Sequence, residues 1–280
     1  MDQRGRGLSP AQHAQERPSS RRIGLEVRNR ATGTRRFGLA LASFARSRSS
    51  VGTVLAEGVV NSSFDELYDY DVVRALPEPT ALLVRVDEPT IILGSQQTDD
   101  VLRDGVADDF CVRRRRGGGG AVFVDRHDLW VDWWIPRDDD RYDDDVRRSA
   151  VRAGEWWTTA LNHVRPAEWS VHVGGVEGDV DVRVACFAGK GPGEVLLDGR
   201  KVVGLTQWRV REGIFVSTLM KYSSSEELLG ALRLVPSGLT AALGHHTAST
   251  LELADSIDEI EQVLLRFSGP WRKRPVVLLR

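Results

Sequence analysis

The sequence predicts an α+β domain, a mixed or antiparallel central sheet flanked by helices. Three observations predict it. Apolar runs of strand length recur between residues 81 and 220. Helical periodicity falls among them without the regular strand–helix alternation that builds a parallel, doubly wound sheet. Asp198-Gly199 is a two-residue hairpin signal, which makes 194–197 and 201–205 an antiparallel pair.

In chain order, residues 51–70 carry a helical pattern interrupted by Asn61-Ser62-Ser63. Residues 81–86 and 90–93 read as strands, and Gly94-Ser95-Gln96-Gln97 as the turn that follows. Thr98 or Asp99 stands where it could cap a helix over 101–107. Strands follow at 110–113, 121–124 and 129–135, and Pro136 with Asp138–Asp140 closes the last into a loop. Asp143–Asp145 precede a long helix, 146–164, whose apolar positions include Val151, Trp156, Ala160, Leu161 and Val164. Residues 180–187 and 214–220 add strands, and 256–267 forms a terminal helix. There is no internal repeat.

A chain of 280 residues that is 41% hydrophobic and 28% charged can bury a sizeable core. No run of apolar residues is long enough to span a bilayer, so no membrane association is expected. The two cysteines, Cys111 and Cys186, have neither CxxC nor Cys/His spacing, which excludes a disulfide framework and a zinc site; no metal site is expected. A formal net charge of −2 argues against a nucleic-acid partner. The charge is unevenly spread: residues 1–50 hold 11 Arg against 3 acids, about +8, leaving about −10 for the rest. Residues 1–48 read as a disordered Arg-rich leader and 49–275 as the folded domain. The leader has no apolar signal-peptide core, so the expected location is the cytoplasm. Only four cations are lysines: Lys190, Lys201, Lys221 and Lys273.

Two segments carry the chemistry. In the first, Arg113-Arg-Arg-Arg-Gly-Gly-Gly-Gly-Ala-Val-Phe-Val124, four arginines run into four glycines between two strands. Consecutive glycines let backbone N–H groups approach an anion closely, and arginine supplies bidentate donors. The run is neither GxxxxGK[ST] nor a dinucleotide fingerprint. The plain alternative is a flexible basic hairpin. The second segment runs from Cys186-Phe187 through a Gly/Pro loop to Lys201 at the start of an apolar strand. Alternation puts Lys201 on one face with Val203 and Leu205, so it needs an anionic partner or a lowered pKa. Lys190, in the Gly/Pro loop, reads as surface.

These residues carry a resemblance. Arg115-Arg116-Gly-Gly-Gly-Gly-Ala121-Val122-Phe123 resembles the RRSGGGAVYHD motif of lipoate–protein ligases and octanoyltransferases. Gly199-Arg-Lys201-Val-Val-Gly204-Leu-Thr-Gln207-Trp-Arg209 is similar to that family's GKKIxGxAQxR, and Ile91-Ile-Leu-Gly94-Ser-Gln96 to its VxxGxxQ strand end. The ordered triple covers roughly residues 75–225, and its nearest likeness is to the actinobacterial branch. Gly117 stands for the family's Ser, Val124 for its His and Asp128 for its Asn. Phe215-Val-Ser-Thr-Leu-Met220 replaces a segment that carries two histidines.

The resemblance implies a biotin/lipoate protein ligase fold, related to class II aminoacyl-tRNA synthetases. It implies transfer of a lipoyl or octanoyl group to a lysine of a lipoyl carrier domain, such as the glycine cleavage H protein or a 2-oxoacid dehydrogenase E2. By the same resemblance the binding site comprises Arg115, Arg116, Gly118, Gly119, Gly120, Ala121, Val122, Phe123 and Gly204, and Lys201 sits beside the reacting carbonyl. Lys201 is then expected to point at the Gly117–Ala121 loop across a pocket. A ligase would use ATP with Mg2+. An octanoyltransferase would use no cofactor, take its acyl group from an acyl carrier protein and employ a Cys-Phe pair like Cys186-Phe187. A thiol needs a nearby cation to become thiolate, which Lys201 could supply; the alternative for Cys186 is a buried structural thiol. Candidate walls of the acyl slot are Val84, Ile92, Val122, Trp130, Trp133, Val203 and Leu205. Two other readings stand beside this one: a ligase fold kept as a binding protein, and a biotin–protein ligase, whose GRGRxxR loop is replaced by GGGG.

Overall fold

The structure, a computed structural model, describes residues 64–222, 224–247 and 251–278; the leader and the helix expected over 51–63 lie outside them. In chain order the elements are α1 (Tyr70–Arg74), β1 (Thr80–Val86), β2 (Thr90–Leu93), β3 (Cys111–Arg114), β4 (Val122–Val124), β5 (Leu129–Pro136), α2 (Val146–Val164), β6 (Trp169–Val171), β7 (Val195–Leu197), β8 (Arg200–Val210), β9 (Gly213–Met220), α3 (Leu239–His246), α4 (Ile257–Phe267) and β10 (Arg272–Leu278). Seven strands form one sheet in the order β10-β1-β5-β9-β8-β7-β6, and β3-β2-β4 form a second. In the large sheet only the β1–β10 pair is parallel, so the mixed α+β class holds. None of the described helices is long and apolar enough to cross a membrane.

Alternation along β5 builds two cores. Trp130 and Trp134 join Phe215 and Leu219 beneath the small sheet. Val131, Trp133 and Ile135 face the other way, against α2 and α4. All eight residues of β5 are buried because both faces are covered. Helix α2 starts where Asp145 caps it, its side chain accepting the Arg148 N–H at 2.9 Å. Its buried residues, among them Ala150, Ala153, Trp157 and Leu161, form one stripe at helical spacing.

Three expectations are corrected. The helix over 101–107 is two short 3₁₀ turns, Asp99–Val101 and Val106–Asp108, separated at Gly105, whose φ of 72° breaks any helix there. The strand over 180–187 is also two 3₁₀ turns, Asp181–Val184 and Cys186–Ala188; its one strand-like contact is the bridge from Ala185 to Ala121. Within 64–69 the expected helix is absent, and the chain lies instead beside β3, with Leu67 N donating to Arg114 O at 2.7 Å. Strands β6 and β10 and helix α3 had not been expected.

Candidate active site

The loop between β3 and β4 spends its arginines inward. Arg114 pairs with Asp99 and donates to the carbonyl oxygens of Gly94 and Gln97. Arg115, only 5% exposed, donates to Ile92 O at 3.1 Å, Gly118 O at 2.9 Å and Gly120 O at 2.7 Å. Its Nε has no partner, and burial pushes the guanidinium pKa down. Arg116 turns to Glu66 at 2.5 Å and lies over the Tyr70 ring, away from the pocket. Arg115 is therefore a clamp on the glycine loop, while Arg116 stays at the surface.

The clamp leaves a row of amides. The N–H groups of Gly117, Gly118, Gly119 and Gly120 donate to no protein acceptor among the described residues. Gly119 has a φ of 92°, open to glycine at little strain. A Cβ at Gly120 would lie 2.4 Å from Arg183 O and 2.6 Å from Val184 O. Gly120→Ala is accordingly expected to push the 183–185 segment off the loop and lower stability by about 1–3 kcal/mol, as over-packing does. Urea unfolding measures this, and an unchanged midpoint would show that the loop has room.

Opposite the amides, Cys186 N donates to Ala121 O at 2.8 Å and Ala121 N to Val184 O at 2.7 Å. This two-way pairing seats the Cys186 turn beside the glycine loop. Cys186 is half-buried, and the Arg115 guanidinium is close enough to feel its charge. Both line one apolar pocket with Gly204, Phe187, Thr206 and Ser217. Four expected wall residues are there, Ile92, Val122, Trp130 and Leu205, together with Leu219. Three are not: Trp133 and Val203 pack in the core beneath α2 and α4, and Val84 in the core under the small sheet. The pocket is narrow and its lining is mostly apolar.

Lys201 lies behind this pocket, 1% exposed. Its Nζ donates to Cys186 O at 2.5 Å and to both oxygens of Glu194 at 3.0 Å. The anionic partner demanded by its apolar face is thus Glu194, which the sequence reading had not singled out. The expected aim at the glycine amides is replaced by a bond to the turn that pairs with Ala121. Phe123 supports the site from the core: its carbonyl accepts Lys221 Nζ at 2.9 Å, and Lys221 pairs with Asp128 in a fully buried bridge. The other thiol, Cys111, opens β3, and burial pushes its pKa up.

Beneath the pocket floor sits a carboxyl that sequence reasoning also missed. Asp132 accepts from Tyr68 Oη at 2.6 Å, Trp130 Nε1 at 2.6 Å and Thr218 N at 3.1 Å, and from the Ser217 hydroxyl. Burial pushes its pKa up to about 7 against these donors. The arrangement thus offers an apolar slot, a thiol, a buried ammonium behind it and unpartnered amides. Among the described residues no three His, Cys, Asp or Glu side chains gather as metal ligands.

Residues 59–263 match the family model described as the lipoyl protein ligase A/B catalytic domain. The lipoate-protein ligase LplJ of Bacillus subtilis (strain 168) is 28% identical over 173 residues, 59% of this chain and 44% of that protein. The chain therefore spans less than half the length of that curated relative. A lipoate-protein ligase A bound with ATP superposes with a TM-score of 0.57 at 20% identity, over 76% of this chain and 82% of that one. A bi-partite lipoate protein ligase from Thermoplasma acidophilum, solved in a study with its E2 lipoyl domain, gives 0.53 at 18% identity, over 74% and 80%. At these identities the likeness is one of fold.

Proposed function

Because the chain belongs to the lipoyl protein ligase A/B catalytic domain family, we propose that it transfers a lipoyl or octanoyl group to a lysine of a lipoyl carrier domain. The observation that supports this reading is the seat of Cys186: its turn pairs with Ala121 at the end of the glycine loop, and the residue lines the apolar pocket.

The position of Cys186 favours the thioester route. Its thiolate attacks the carbonyl of an acyl thioester on an acyl carrier protein. The resulting oxyanion is held by N–H groups of the Gly117–Gly120 loop, and the carrier's thiol departs, leaving the acyl group on Cys186. The lysine amine of the lipoyl domain then attacks that thioester, the amide forms, and Cys186 leaves as the thiol. The loop N–H groups are the oxyanion's donors, each such donor being worth on the order of 10²–10³ in rate. Lys201, whose own donors go to Cys186 O and Glu194, holds the turn that carries the thiol.

A second reading rests on the same amides. Four free N–H groups also fit a phosphate. On the adenylate route ATP would supply the leaving group, and its magnesium would be held largely by the phosphates. Incubation with octanoyl carrier-protein thioester and then a lipoyl domain, with and without ATP, separates the two. The expected result is an acyl adduct on Cys186 by intact mass, absent in Cys186→Ser, followed by ATP-independent modification of the lipoyl domain. Labelling that needs ATP and persists in Cys186→Ser would establish the ligase; no labelling under either condition would end the proposal.

A further inference from the structure

We infer that Glu194 is a positioning residue, which fixes the Lys201 ammonium against the Cys186 carbonyl and joins the reactive turn to the wall of the acyl slot. This rests on the acyl-transfer reading above.

A lysine ammonium has three N–H donors. In Lys201 all three are taken, by Cys186 O at 2.5 Å and by the two Glu194 oxygens at 3.0 Å. The side chains are 1% and 5% exposed, so water cannot stand in for either partner. The carboxylate has two further donors. Gly191 N, in the loop leading from the Cys186 turn, reaches Oε2 at 2.7 Å, and Leu205 N, in the slot wall, reaches Oε1 at 3.4 Å. One carboxylate therefore ties together the Cys186 turn through Lys201, the Gly/Pro loop and strand β8. The charged group facing the ammonium is Glu194, from the approach to β7, and from the turn it meets the Cys186 carbonyl. The Phe187 ring lies 4.8 Å beneath Nζ. Without the carboxylate, two of the three ammonium donors lose their acceptor and the side chain is no longer held against the reactive turn.

The test uses the full chain as wild type, Glu194→Gln and Glu194→Asp. Four lysines give few side-chain ammonium signals in ¹⁵N NMR, and Lys201→Arg assigns the one needed. In the wild type the Lys201 ammonium signal should be protected from exchange, because all three donors are held and water is excluded, and in Glu194→Gln it should be lost to exchange. The kcat of Glu194→Gln should fall roughly tenfold or more at a nearly unchanged KM for the lipoyl domain. Glu194→Asp should restore the signal with an intermediate kcat. A folded Glu194→Gln with a wild-type ammonium signal, or with wild-type kcat, overturns the inference. Should Glu194→Gln fail to fold, wild-type kcat in Glu194→Asp, whose shorter arm draws Nζ back, overturns it equally. If the wild type acylates no lipoyl domain, the function reading fails, and the NMR signal still decides whether Glu194 holds the ammonium in place.

Discussion

Lys201→Ala is expected to lose most of its acyl transfer, because the Cys186 turn is no longer held, and to unfold about 3–5 kcal/mol more easily than wild type. The stability loss comes from what remains. Glu194 keeps the N–H donors of Gly191 and Leu205 but loses its counter-ion while still buried. Burial already raises the Glu194 pKa against the pull of Lys201, and deletion of the ammonium raises it further. A carboxyl whose pKa is higher folded than unfolded binds more protons in the folded state, so its contribution is lost as pH rises through the folded pKa. The deficit of Lys201→Ala should therefore shrink towards acid pH and widen as pH rises past the carboxylate range. Urea midpoints on the acid and alkaline sides of neutrality measure it. The double variant Lys201→Met/Glu194→Leu removes both charges, and replacing a buried pair by apolar side chains is often neutral or stabilising. It should regain most of the stability and none of the transfer. Wild-type stability of Lys201→Ala at alkaline pH, or turnover in the double variant, would contradict this account.

Local signals predicted local structure well. Asp198 and Gly199 have φ of 50° and 73°, the left-handed pair that a two-residue hairpin needs. The Asp145 cap and the stripe from Ala150 to Leu161 fixed α2. What depended on distant partners was less legible. Residues 180–187 alternate valines like a strand, yet Val180 is 72% exposed and Val182 is buried in a 3₁₀ turn, because the segment docks on Ala121 and has no strand to pair with. Strand β10 opens Arg-Lys-Arg-Pro, an unpromising strand sequence, and is stable as an edge against β1, where a proline is tolerated. The same divide runs through the site. Alternation put Lys201 on an apolar face, but Glu194 meets it across a hairpin whose register shifts at Val195/Leu196, and no sequence spacing encodes that. The arginines read as free cations because their acceptors are backbone carbonyls of remote segments. Asp132 did leave a signal: it is the one acid in Leu-Trp-Val-Asp-Trp-Trp-Ile, on the same face as Trp130 and Trp134.

Asp132→Asn is expected to change how stability depends on pH more than stability itself. Asp132 lies among four donors, of which two, the Tyr68 and Ser217 hydroxyls, can reverse and accept. An asparagine can keep its carbonyl oxygen towards Trp130 Nε1 and Thr218 N and turn its amide towards those hydroxyls, so every partner is retained. The wild-type carboxyl is pushed up to about 7 in the folded state against 3.8 for a free aspartate side chain. The folded state thus binds the extra proton, the contribution is complete below the unfolded value, and it is lost as pH rises to about 7. At 1.36 kcal/mol per unit the swing between those limits is roughly 4 kcal/mol. Stability of the wild type should fall relative to Asp132→Asn across that window and then run parallel to it at higher pH. Ser217 lines the pocket, so the same titration turns its hydroxyl: towards Asp132 when the carboxylate is ionised, free to reverse when it is protonated. Denaturant midpoints at acid and alkaline pH test the claim. Curves for the two proteins that stay parallel from pH 4 to 8 would mean that Asp132 does not change its protonation on folding, and the buried network beneath the pocket would have to be redrawn.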